Sequence, residues 1–448
     1  MTNMADVPTL KETGQYLEKF HRFEQAVNEP AWLAALRRAG IARFSEFGFP
    51  TAQDEDWRFT NVAPLAHLPF RPALERAPAS LSADALRGFA FTGLEATRLV
   101  FVNGHFVPEL STTVEAPDGA TVGSLAAALA EPGAPLEPHL GRYARVADSS
   151  FAALNAAFFR DGAFIHVPAG RTLERPVHLL FVSTSPEAGA TTHPRNLIIA
   201  EAGSRLTVAE SYVATAGSAY FTNAVTELVA GEGAVVEHCK FQDESPAAFH
   251  LATLYARLGR NSHCISHSFA TGARLSRNNI RTELAGEGLE AILNGLYLTR
   301  GDQLADHHMI VEHAQPHCAS HEYFNGILDD HSKGVFHGRI LVRPGAQKTD
   351  AKQTNKNLLL SDQATVDTKP QLEIYADDVK CTHGATVGQL NEESIFYLRA
   401  RGIGQETARR MLIHAFAGEI IERVRWQPLR EELDALVWQR LEQNPHVK

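Results

Sequence analysis

A chain of 448 residues, 44% hydrophobic and 21% charged, has the apolar content for a large core, and its length predicts two or three domains. A net charge of −10 argues against nucleic acid, whose phosphates an acidic surface repels, and no apolar run reaches the ~18 residues of a membrane span. The start, MTNMADVPTLKETGQ, lacks a basic-then-apolar signal, and cysteines 239, 264, 318 and 381 are too scattered for a disulfide framework; the expectation is a cytoplasmic protein with free thiols.

Residues 1–97 read as a helical region with a linker. LKETGQYLEKFHRFEQAV and PAWLAALRRAGIARFSEF carry apolar residues at three- and four-residue spacing, with Pro30 suited to a first helical turn. GFPTAQDEDWRFTNVAPL follows, rich in turn residues and without a clear period. Residues 98–162 form a mixed lead-in: TRLVFVNGHFVPEL predicts a hairpin around Asn103-Gly104, and DSSFAALNAAFFRDG predicts a helix.

Residues 163–388 change character to short β-branched and aromatic runs between turn residues. Glycines recur at 203, 231, 259 and 286, in steps of 28, 28 and 27 residues, with weaker echoes from 312, 342 and 375. A period of that length without intervening helices predicts a right-handed parallel β-helix, whose coils stack at ~4.8 Å because none can bury its inner face alone. An antiparallel sandwich is the competing architecture, but its turns have no reason to recur so evenly. Helical flanks would cap the end coils.

Residues 389–448 return to helix. Asn391 is a candidate N-cap and Gly402 a stop. The stripe Ala408, Met411, Leu412, Ala415, Phe416, Ile420 and Val424 predicts an amphipathic second helix, and Pro428 opens a third. Such a bundle either packs on the solenoid or offers a docking face to a partner.

The sequence has no phosphate-binding loop, dinucleotide fingerprint, H-E-x-x-H, G-x-S-x-G or C-x-x-C. Two features point to metal chemistry, each weakly. Seven histidines fall between 307 and 337; they either decorate a sheet surface or bind metal, although those of DHHMIVEH lie on alternate strand faces and cannot all meet one ion. VKCTHGATVG, residues 379–388, places Cys381 and His383 on one face of a predicted strand. The alternative for His383 is a core imidazole bonded to a neighbouring coil's carbonyl.

SDQATVDTKPQLEIYADDVKCTHGATVGQLNEESIFYLRARGI, from 361, closely resembles the C-terminal signature of the SufD members of the SufB/SufD family, scaffold subunits of the SUF iron–sulfur cluster assembly system. PTAQDEDWRFTNVAPL, residues 50–65, resembles that family's N-terminal E-x-W-[KR]-[YF]-T stretch, so the likeness spans nearly the whole chain. A SufB-like paralogue is the nearest alternative, but its VEHEAT stands here as VKCTHGAT and its CGAH cysteine stretch is missing. The resemblance implies a non-catalytic scaffold: a parallel β-helix between helical regions, paired with SufB and carrying the SufC ATPase on the C-terminal helices. No cofactor would be held permanently; a transient iron–sulfur cluster or iron would be shared with SufB, with His383 as ligand and Cys381 beside it. Phe396, Tyr397, Arg401, Met411 and Phe416 are the candidate SufC contacts. A homodimer is an expected state of the isolated chain. A metal-delivery protein and a β-helix carbohydrate-active enzyme are the other readings.

Overall fold

The structure, a computed structural model, describes residues 10–76, 81–112, 119–131, 133, 135–184, 187–215 and 217–443. Helices Leu10–Ala26 and Ala31–Phe47 form where the three- and four-residue apolar spacing predicts them, with Pro30 as N-cap of the second. Asn103 and Gly104, at φ +49° and +82°, make the tight turn between Thr97–Val102 and His105–Phe106. Helix Ser150–Phe158 is buried on all sides, its N-terminus capped by Ser149.

From Ala163 onward the chain winds a parallel β-solenoid of about eight turns, laying strands alternately in two sheets. Sheet A runs from Ala163–Val167 through Arg195–Ala200, Phe221–Ala230, Phe249–Leu258, Leu275–Leu284, Leu304–His313 and Lys333–Val342 to Thr365–Ile374. Sheet B runs from Val177–Ser183 through Arg205–Ala214, Val235–Asp243, His263–Ala270, Glu290–Thr299, Ala319–Leu328 and Asp350–Leu359 to Lys380–Gly388. The glycine step follows from coil-on-coil contact. A Cβ on Gly231, Gly259 or Gly286 would come within 2.7, 2.9 and 2.1 Å of backbone atoms of the preceding coil. Coil length then drifts: partners lie 28 residues apart at Val235–His263 and 31 apart at Ala319–Asp350, which is why the glycine echo fades.

The lumen between the sheets is a continuous apolar column that includes Val208, Val236, Leu254, Leu293, Met309, Phe324 and Phe336. Each sheet's outer face is covered by helices. On sheet A, Phe20, Phe44, Phe151 and Phe158 pack over Phe221, Phe249, Leu251 and Leu275. On sheet B, helices Gln405–Ile421 and Gln427–Gln443 lay Ile413, Ala417, Ile420, Leu429 and Leu433 over Phe241, Phe269, Leu296 and Ile327. This corrects the expected stripe. Ala408, Ile420 and Val424 are buried, but Met411 and Ala415 face solvent, and Ile413, Ala417 and Ile421 take the inner positions. The helix is flanked by apolar residues on more than one side, so sequence periodicity alone chose the wrong rotation.

The two ends of the solenoid differ. At the first, the short strand Thr121–Ser124 pairs antiparallel with Ala163–Val167, and the Thr97–Phe106 hairpin closes sheet B. At the second, Thr365–Ile374 and Lys380–Gly388 are the terminal strands of both sheets, and each leaves one edge unpaired.

Candidate functional site

The open end is built by strand alternation. Inward positions on sheet B are those whose residues fill the lumen, and the ladder carries them to Cys381, His383, Ala385 and Val387 on the last strand. With no further coil above them, these inward positions face solvent. His383 is exposed rather than folded into a core, so the imidazole bonded to a neighbouring coil is not what forms. Cys381 is half-buried beside Ile340, Val342, Ala351 and Ala376, and burial pushes its thiol up from the ordinary value. The other three cysteines are free and buried. Ile374, Tyr375 and Val387 are exposed at the same end, an apolar surface around the pair.

Directly beneath His383 the register stacks Gln353 and then Glu322. Glu322 is fully buried in the lumen, accepts from Gln353 Nε2 at 2.6 Å, and keeps Oε1 unpartnered, as does Gln353 at its own Oε1. Burial raises this carboxyl to about 8, so at neutral pH it carries a proton and turns one of two orphan acceptors into a donor. In the unfolded chain the same group ionises near its ordinary value of 4.5. Between those two values the folded state holds the extra proton, so stability is full below the lower one and falls as pH rises through the upper. Glu322→Gln is therefore expected to raise stability at pH 8 by on the order of a few kcal/mol relative to wild type, and to make no difference at pH 4. Urea midpoints at both pH values check this; equal midpoints for the two proteins at pH 8 would count against a protonated Glu322.

Deeper in the lumen is a polar cluster that no motif announced. His238 bridges Glu210 and Ser266 at 3.0 Å each, while Thr226 and Tyr212 donate to Glu210 at 2.7 and 2.8 Å. Lys240, fully buried between Glu210 and Glu244, is lowered by desolvation to about 8. Glu210 and its donors satisfy one another, while Lys240 donates to Asn278 Oδ1 at 3.3 Å, as buried polar groups require.

The histidines between 307 and 337 disperse as strand alternation requires. His307 and His313 point into the lumen, where Ser268 and Ser320 meet them at 3.1 and 2.8 Å. His317 and His331 lie outside the strands, and His321 is on sheet B. His308 and His337 are ladder partners on the outer face of sheet A, with ring centroids 4.2 Å apart. Burial, reinforced by nearby Arg277, keeps the His308 ring neutral.

The N-terminal signature turns out to be a lock onto this face. Trp57 lies under the Arg277 guanidinium at 3.8 Å, and Thr60 donates to Asp306 at 2.5 Å. Arg277 also donates to Asp306 at 2.6 Å and to the Asp56 carbonyl at 2.8 Å.

On the C-terminal helices, Asn391 caps Glu392–Arg399 and Gly402, at φ +86°, follows its end. Phe396 and Tyr397 are 72% and 56% exposed, Arg401 stacks on Tyr397 at 3.6 Å, and Met411 also reaches solvent. Phe416 is half-buried against the sheet B cover, and its carbonyl accepts from Asn325.

The architecture that carries these residues is a parallel β-solenoid flanked by N- and C-terminal helices, its two ends built differently. The family models described as "SUF system FeS cluster assembly, SufBD core domain" and "SufBD protein N-terminal region" match residues 181–416 and 10–179. The chain belongs to the SufBD family of iron–sulfur cluster assembly proteins. It is 35% identical to Escherichia coli SufD over 441 residues, covering 98% of this chain and 99% of that one. A SufBD family protein of Synechocystis is also 35% identical, over 90% of each chain, and Bacillus subtilis SufD is 26% identical over 94% of this chain and 96% of its own.

Proposed function

We propose that this chain is a non-catalytic scaffold subunit of the SufD kind, which pairs with a SufB-type paralogue through the open end of its solenoid and shares a nascent iron–sulfur cluster there. The observation that carries the reading is the coincidence of His383 and Cys381 with the unpaired terminal strands. A solenoid normally hides its last coil, and an uncovered one is a template for another chain's strands. A paralogue with the same coil would continue both sheets and bring its own thiolate over His383. Thiolate is the ordinary cluster ligand, and one imidazole in the set weakens the hold on the cluster, which suits cargo that has to leave. The work takes place in a reducing compartment, in keeping with free thiols; among the described residues no helix is long and apolar enough to cross a membrane. Isolated, the chain would pair with itself through the same end.

The C-terminal helices would carry a SufC-type ATPase, which supplies the phosphate-binding loop that this sequence lacks, through Phe396, Tyr397, Arg401 and Met411, with Phe416 at the margin. Deleting residues 391–448 would strip the cover from sheet B, where each large apolar side chain buried contributes about 1.5–3 kcal/mol. A point variant is cleaner. Phe396→Ala/Tyr397→Ala is expected to lose co-purification with the ATPase while keeping the SufB-type partner, since both rings are solvent-exposed and no core depends on them. Undiminished capture of the ATPase by this variant would remove the helices from that role.

A further inference from the structure

On the outer face of sheet A, one strand in from the open edge, Asp56 of the N-terminal segment reaches over His308 and its ladder partner His337. One donor atom from each of the three lies within 4.8 Å of the others, and Asp56 Oδ1 is 3.6 Å from His308 Nε2. We propose that Asp56, His308 and His337 form a second metal site, for a divalent transition ion of the Fe(II) and Zn(II) class.

Two imidazoles and one carboxylate on one side of an ion, with further positions open to water, is the donor set such ions take. Tetrahedral bonds of about 2.0–2.2 Å put donor atoms about 3.3–3.6 Å apart, so closure from separations of up to 4.8 Å needs a shift of up to about 1.5 Å. Asp56 is the member free to make it, because its side chain is partly exposed while both rings are packed in the sheet. The surroundings are polar and incompletely satisfied. Asp306, two residues before His308 on the same face, is buried with Oδ1 unpartnered. The cations nearby are largely spoken for: Arg277 is held by Asp306, Lys369 by Glu55, and Arg339 lies 3.5 Å from Glu373, while Arg281 sits over the Tyr255 ring. An ion here would clip the N-terminal segment to two successive coils. The site uses none of the donors of the proposed cluster position and stands or falls separately from it.

The test is anaerobic titration of the full-length protein with Co(II), and with Zn(II) in competition, in a His383→Ala/Cys381→Ser background so that the open end contributes no ligand. The expected result is one Co(II) per chain with ligand-field absorption, and a rise in melting temperature on loading. His337→Gln and Asp56→Ala, each made in that background, are expected to weaken binding more than about tenfold and to abolish the thermal shift. Should His337→Gln fail to fold, Asp56→Ala decides, because its side chain is not part of the packed sheet. Absence of binding in the background protein, or unchanged affinity in Asp56→Ala, overturns the proposal.

Discussion

If the proposed reading holds, His383→Ala is expected to reduce cluster yield more than about tenfold when the protein is reconstituted with SufB-type and SufC-type proteins, iron and a sulfur donor. The side chain is exposed on the terminal strand, so its loss opens no cavity and the fold and the pairing should persist; size-exclusion chromatography of the variant complex checks that. On the proposed reading the variant removes one ligand of a site divided between two chains, leaving a partner thiolate that could not hold the nascent cluster alone. Cys381→Ser is expected to do less. Its thiol is partly covered and pushed up by burial, so it offers little thiolate at neutral pH and behaves as a small apolar filler. Wild-type yield from His383→Ala would remove the imidazole from the chemistry, whatever the scaffold does.

Arg277→Ala is expected to lower unfolding free energy by about 3–5 kcal/mol. Arg277 is 2% exposed and satisfies three groups at once: Asp306, the Asp56 carbonyl and Asn279. Its guanidinium also lies on Trp57, an attraction worth about 1–2 kcal/mol when desolvated. Removing it strands the Asp306 carboxylate in the protein with only the Thr60 hydroxyl for company, and an unpaired buried charge is the larger part of the effect. Guanidinium denaturation measures the loss, and Trp57 near-ultraviolet dichroism reports whether the N-terminal segment lifts off sheet A. A change below about 1 kcal/mol would mean that the segment is held by its aromatic contacts rather than by this ion pair. Arg277→Ala/Asp306→Asn should recover part of the loss, since it removes the stranded charge.

The coil repeat was legible because its cause is local and repeated: Gly231, Gly259 and Gly286 each sit where the preceding coil's backbone leaves no room for a Cβ. The caps and turns were legible for the same reason, Asn391 and Asn103-Gly104 being set by their own neighbours. The direction of Cys381 and His383 followed from alternation, but their exposure did not; that depends on the solenoid stopping at Gly388, which no residue within the strand encodes. The meaning of Trp57 was out of reach, because Arg277 is far off in sequence and joins it only once the coils are stacked. His308 and His337 were within reach. They stand 29 residues apart, one coil, so the period already placed them side by side, whereas counting histidines in a single run hid the match. The rotation of helix Gln405–Ile421 was misjudged because its burial is decided by sheet B beneath it, not by its own pattern.

The unequal ends also limit what the molecule can become. A stack of parallel strands with two bare edges would add copies of itself without stopping, and the product would be a fibre. Here Thr121–Ser124 and the Thr97–Phe106 hairpin end one terminus in short antiparallel strands, a register that a parallel coil does not continue, so addition through the other terminus would halt after a single step. On the proposed reading, the polarity of the rod would limit it to a pair, like or unlike.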